Sequence, residues 1–195
     1  MKACDNPFAT DRVERLLRYK PDWIETDWAS IEDRWSKLNR RVTLTGRHGS
    51  GKTTFLDTWQ ERLTSKHQHV IRIFLNRETR SLTSHQWEAL NNPADKIILL
   101  DGEEQLDWSD RRKFYRETRT AAGLLVTRHK KGKLPTLLHL EPDINILDLC
   151  VQHLAPAHYS RLAPYLPTWW RQSSGNIRQV LLNCYDILAD TPSEP

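Results

Sequence analysis

The segment Gly46-Arg47-His48-Gly49-Ser50-Gly51-Lys52-Thr53 constrains this chain more than any other, because it holds three of the seven glycines in six consecutive positions. Glycine enters the left-handed backbone region without a Cβ clash, so such a segment reads as a tight loop whose main-chain amides can be approached closely. Just upstream, Val42-Thr43-Leu44 is a short β-type run. Downstream, residues 52–63 set Phe55, Leu56, Trp59 and Leu63 at helical spacing. A strand that feeds a helix through a glycine loop brings open amides and the positive end of the helix dipole to one place, which suits an anion. It is also the building unit of a layered α/β fold.

The rest of the chain repeats that alternation. Residues 70–75, 97–100, 123–127 and 136–140 read as further strands, and 84–91 and 108–121 as helices between them. The expected class is α/β, a mostly parallel sheet with helices on both faces. Before the first strand, Pro7 and Pro21 bracket a helix over 11–19. A second helix over 27–39 carries Trp28, Ile31, Trp35 and Leu38 on one stripe. After residue 143 the pattern is helical throughout, with Pro156, Pro164 and Pro167 breaking its middle. The expected organisation is therefore an N-terminal arm and helices over 1–40, a core over 41–142, a small helical lid over 143–190 and a tail over 191–195.

Residues 46–53 match G-x-x-x-x-G-K-[ST], the Walker A pattern of a P-loop, in full. That chemistry needs backbone amides crowded against a polyphosphate, a lysine charge for the β- and γ-phosphates, and a hydroxyl to ligate Mg²⁺. The expected ATP-binding set is Gly46, Gly49, Ser50, Gly51, Lys52, Thr53 and Thr54, with Thr53 on the metal. Ile97-Ile98-Leu99-Leu100-Asp101 reads as a buried parallel strand ending in a carboxylate, so Asp101 is the second expected holder of Mg²⁺. Glu103 and Glu104 follow, and one of them is expected to orient the attacking water as a general base.

With these motifs in place the chain resembles the AAA+ and STAND branch of P-loop ATPases, which inserts a strand between the P-loop strand and the aspartate strand. Asp101-Gly102-Glu103-Glu104-Gln105-Leu106 is similar to the STAND pattern D-G-x-D-E-L, and that resemblance assigns the catalytic role to Glu104. Leu124-Leu125-Val126-Thr127-Arg128-His129 looks like the sensor strand of the group, which implies γ-phosphate contact by Thr127 or Arg128. Gly175-Asn176-Ile177-Arg178 resembles a sensor element in which the arginine, here Arg178, reaches from the lid to the nucleotide. The resemblance implies a P-loop three-layer fold with five strands in the order 5-1-4-3-2 and a helical lid. It implies a minimal ATPase core that hydrolyses ATP to ADP and phosphate as a switch or motor, with output to a protein partner or to copies of itself. Two alternatives stay open: a nucleotide-binding switch with negligible turnover, and a small-molecule P-loop kinase using residues 128–133 as a phosphate lid.

Composition narrows the setting. No run approaches the roughly 20 apolar residues of a membrane helix, the start has no apolar signal core, and the expected location is cytoplasmic without membrane insertion. Cys4, Cys150 and Cys184 lack metal or redox spacing, and two of them read as core. A formal net charge of +4 permits DNA as a partner. Arg111, Arg112, Lys113, Arg116 and Arg119 read as a solvated basic helix face, with Arg116 or Arg119 as a possible finger on a neighbouring subunit. His67 and His69 lack the further ligands a transition-metal site needs. Trp169 and Trp170 read as lid packing.

Overall fold

In the computed structural model, residues 5–189 are described. Cys4 and the 191–195 tail lie outside them. The elements run α1 (Thr10–Leu16), α2 (Trp28–Lys37), β1 (Arg41–Gly46), α3 (Lys52–Ser65), β2 (His69–Phe74), α4 (Ser84–Ala89), β3 (Lys96–Asp101), α5 (Trp108–Glu117), β4 (Gly123–Arg128), β5 (Thr136–Leu140), α6 (Ile144–Leu154), α7 (Tyr159–Leu162), α8 (Leu166–Gln172) and α9 (Ile177–Ala189). They form two compact units. One comprises Lys20–Gly46 and Phe55–Leu140, and the other joins Arg47–Thr54 to the described parts of Met1–Tyr19 and Glu141–Pro195.

The first unit is built on a five-stranded sheet in the order β2-β3-β4-β1-β5. All four pairings are parallel, and β4 lies between β1 and β3, as the resemblance implies. The central strands are apolar along their length because both of their faces are covered. Ile97, Ile98, Leu99 and Leu100 are all buried. Ile98 and Leu100 pack with Ile73, Leu124, Val126 and the Phe114 ring of α5. Alternate residues face the other way, where the Trp35 ring of α2 lies over Gly123 beside Ile97. Phe55 and Trp59 of α3 stack at 5.8 Å, and Trp35 meets Trp59 edge-on at 5.9 Å. The helices therefore sit on both faces of the sheet.

The second unit has its own core of Leu147, Val151, Leu154, Leu162, Leu166, Val180, Leu181, Cys184 and Leu188. Phe8 inserts into it. Buried Asn6 pins this arm, donating from Nδ2 to the Tyr185 carbonyl at 2.9 Å and accepting the Phe8 amide at 3.0 Å. Trp169 and Trp170 pack against this core as half-buried side chains. Cys150 and Cys184 are free and buried.

Several element ends differ from the sequence expectation, each for a local reason. The expected helix over 11–19 ends at Leu16 because Leu17 is extended. The expected 27–39 helix closes at Lys37, and Asn39 and Arg40 turn the chain through left-handed conformations into β1. Asp27, Asp107 and Asp143 each accept an amide three residues on, at 2.6, 2.8 and 3.0 Å, and so set the starts of α2, α5 and α6. No helix of the described residues is long and apolar enough to cross a membrane.

Candidate active site

Because every strand is parallel, the carboxyl ends of β1, β3 and β4 share one edge of the sheet, and Gly46, Asp101 and Arg128 stand at those ends. Ligands of open α/β sheets gather outside such an edge. From Gly46 the chain enters the loop that leads to Lys52, the first residue of α3. Gly49 and Gly51 take φ of 70° and 86°, the left-handed region that explains both glycines. A Cβ on Gly51 would point into open space, whereas one on Gly49 would run into the Asn176 side chain. Asn176 itself starts α9, its Oδ1 accepting the Gln179 amide at 3.3 Å.

Two features of the loop suit an anion. The Ser50 hydroxyl is buried without a hydrogen-bond partner, a costly state for a polar group unless a ligand satisfies it. The Lys52 ammonium donates to the Arg47 carbonyl at 2.7 Å, closing the loop on itself with a positive charge. The amides at the start of a 14-residue helix add their dipole. Thr53 and Thr54 lie in the first turn of that helix.

At the end of β3, Asp101 is 5% exposed. Its Oδ1 accepts the Thr127 hydroxyl at 2.6 Å, and its Oδ2 lies 3.2 Å from Nη2 of Arg72. Arg72 also lies 3.4 Å from Asp57. Burial pushes the Arg72 pKa down, and the two carboxylates oppose that shift. Gly102 takes φ of 88°, and a Cβ there would strike the Leu75 carbonyl. The residue after Asp101 must therefore be glycine, which is why no acid stands at that position.

The two following acids separate sharply. Glu103 is fully buried, 3.0 Å from Arg111 Nε and 3.0 Å from Arg128 Nη1, and accepts the Tyr115 hydroxyl at 3.3 Å. Burial first, then the Glu103 charge, holds the Tyr115 pKa well above its ordinary value. Glu104 is partly exposed, with Oε1 3.0 Å from Nδ1 of His129. Arg111 is not solvated as the sequence suggested. Besides its pairing with Glu103 it donates to the carbonyls of Glu103, Glu104 and Leu106 at 3.4, 3.3 and 2.8 Å, gathering the turn around its guanidinium. Arg112, Lys113, Arg116 and Arg119 are exposed, as expected of a helix face.

Sequence reasoning missed three members of this cluster: Arg72, Tyr115 and the inward role of Arg111. A signal existed for Arg72, since a lone arginine inside the apolar run 70–75 calls for a buried acid. Arg178 is exposed on α9, its guanidinium 3.8 Å from Glu14.

Neither a family model nor a curated protein sequence matches the chain. Solved structures do. The Aeropyrum pernix ORC1 protein in complex with DNA superposes with a TM-score of 0.62 at 15% identity, covering 94% of this chain and 63% of that one. Drosophila ORC bound to DNA gives 0.50 at 15% identity, covering 89% of this chain and 57% of the other. The chain thus shares the fold of these proteins, a five-stranded parallel sheet in the order β2-β3-β4-β1-β5 with helices on both faces. The chain spans about three fifths of the length of either solved chain.

Proposed function

We propose that the chain binds ATP with Mg²⁺ through Gly46, Gly49, Ser50, Gly51, Lys52, Thr53 and Thr54 and hydrolyses it to ADP and phosphate, serving as a nucleotide-dependent switch. The single observation that carries this reading is the buried, unpartnered Ser50 hydroxyl in a loop with two left-handed glycines at the start of α3. A triphosphate supplies the acceptors that such a loop lacks. Lys52 would exchange the Arg47 carbonyl for phosphate oxygens. The donor set also fits a hard dication, since Asp101 and the Thr53 hydroxyl offer oxygen ligands. When bound, Mg²⁺ would offset charge on the phosphates. Glu104 would orient the attacking water and accept its proton. Glu103, sealed between two arginines, would brace the turn that carries Glu104. Thr127 would act through Asp101 and Arg128 through Glu103, while exposed Arg178 would be able to swing from Glu14 toward nucleotide.

A second reading, a switch with negligible turnover, is favoured by the engagement of Glu104 with His129. The two solved neighbours are DNA complexes and this chain carries net charge +4, so DNA joins a protein partner or a second copy as the class of effector to test.

Binding of a fluorescent ATP analogue, measured beside phosphate release with and without duplex DNA, separates these readings. Lys52→Ala should abolish binding with the circular dichroism spectrum unchanged, and wild-type affinity in that variant would remove the phosphate role. Binding without release, at any protein or DNA concentration, would establish the switch reading over the hydrolase.

A further inference from the structure

Arg72 interrupts the apolar run of β2 and sits in register with Leu99 of β3. Its side chain is 18% exposed, and its Nη2 lies within reach of two carboxylates, Asp101 at 3.2 Å and Asp57 at 3.4 Å. Nη1 is buried and makes no hydrogen bond. A strand of this kind would be served at least as well by valine or isoleucine, because a buried ion pair seldom repays the desolvation of its charges. Orienting Asp101 does not require it either, since the Thr127 hydroxyl already fixes Oδ1 at 2.6 Å. What Arg72 adds is positive charge on Oδ2, with a second acceptor, Asp57, already within hydrogen-bond range of the same Nη2. Asp57 is the more exposed of the two acids, 46% against 7% for Asp101. It can therefore take the guanidinium at the lower desolvation cost.

We infer that Arg72 is a stand-in cation: it neutralises Asp101 while no metal is present and shifts onto Asp57 when a divalent ion arrives, so that Arg72 sets the Mg²⁺ concentration at which the site loads. The inference rests on the metal-holding role proposed above for Asp101. Arg72 acts through Asp101 and is a positioning residue. Two cations cannot share one carboxylate oxygen without repulsion, and removing the resident one makes room for the other.

The test reads binding of a fluorescent ATP analogue while Mg²⁺ is titrated into EDTA-treated protein. Arg72→Gln should lower the half-saturating Mg²⁺ at least threefold, with Arg72→Lys between it and wild type and affinity in EDTA unchanged. Asp57→Asn, which takes away the alternative acceptor, should raise the midpoint at least threefold, and in the double variant that rise should vanish. A folded Arg72→Gln with a smaller or upward shift overturns the inference. Should Arg72→Gln fail to fold by near-ultraviolet circular dichroism, Asp57→Asn decides, and an unchanged or lower midpoint overturns it. Asp101→Asn separates the two layers. If it leaves the midpoint in place, the metal role of Asp101 falls and takes this inference with it. If it raises the midpoint while Arg72→Gln does not lower it, only the role of Arg72 falls.

Discussion

The Thr127 hydroxyl donates to Asp101 at 2.6 Å and accepts the Gly102 amide at 2.8 Å, tying the end of β4 to the end of β3 through one oxygen. Thr127 is 1% exposed, so neither bond is shared with bulk water. Thr127, for which the resemblance implies γ-phosphate contact, thus also clamps the carboxylate beside it.

Replacing Thr127 by valine preserves shape while leaving a buried amide without its acceptor. The expected loss is about 1–3 kcal/mol, measured by urea denaturation, and Thr127→Ser should recover most of it. A valine variant as stable as wild type would mean that the bond contributes nothing net.

Glu103 and Glu104, adjacent in sequence, should respond to the same change in opposite ways. Glu103→Gln removes a buried charge between two arginines and should cost about 3–5 kcal/mol of stability. Glu104→Gln should leave stability and nucleotide affinity near wild type and slow phosphate release at least tenfold. If slowed release followed a stable Glu103→Gln instead, the two roles would be reversed.

The loop glycines differ in a way that alanine can read. Gly51→Ala should carry only the left-handed penalty of about 1–2 kcal/mol, since its Cβ would meet open space. Gly49→Ala should cost more, because its Cβ would collide with Asn176. Adding Asn176→Ala should recover that excess, and equal costs for the two glycines would disprove the contact.

Burial pushes the Cys184 thiol from its ordinary 9.0 up to about 12. In a Cys4→Ser chain, a thiol reagent at pH 8 should react with native protein far more slowly than with unfolded protein. The sign of the pH effect follows from the same shift. Between about pH 9 and about pH 12 the unfolded thiol loses its proton while the native one keeps it, so stability should fall as pH rises through that window. Rapid native labelling of Cys184, or no contribution from Cys184→Ala to the alkaline slope, would count against this.

Much of the fold was legible because its signals are local. The short, partly β-branched apolar run of β3 suits a strand covered on both faces, and the spacing of Phe55, Trp59 and Leu63 commits α3 to one buried side. Capping aspartates set helix starts from within three residues. Element ends were less legible, since left-handed turns at Asn39 and Arg40 carry no glycine to announce them. Around the candidate site, residue pattern alone left Glu103 and Glu104 equivalent, and only the resemblance to D-G-x-D-E-L favoured Glu104. The left-handed Gly102 and the turn after it send one carboxylate inward and leave the next beside His129.

By itself, then, the sequence determined the glycine loop between strand and helix, the apolar strands and the carboxylate at the end of β3. These follow from backbone freedom and from side-chain periodicity, both properties of neighbouring residues. Only the tertiary structure decided which charges meet. Arg72 reaches Asp101 across 29 positions of sequence, and Arg111 and Arg128 close on Glu103 from different elements. A buried charge takes whichever partner the packed sheet brings within reach, and no local pattern encodes that choice.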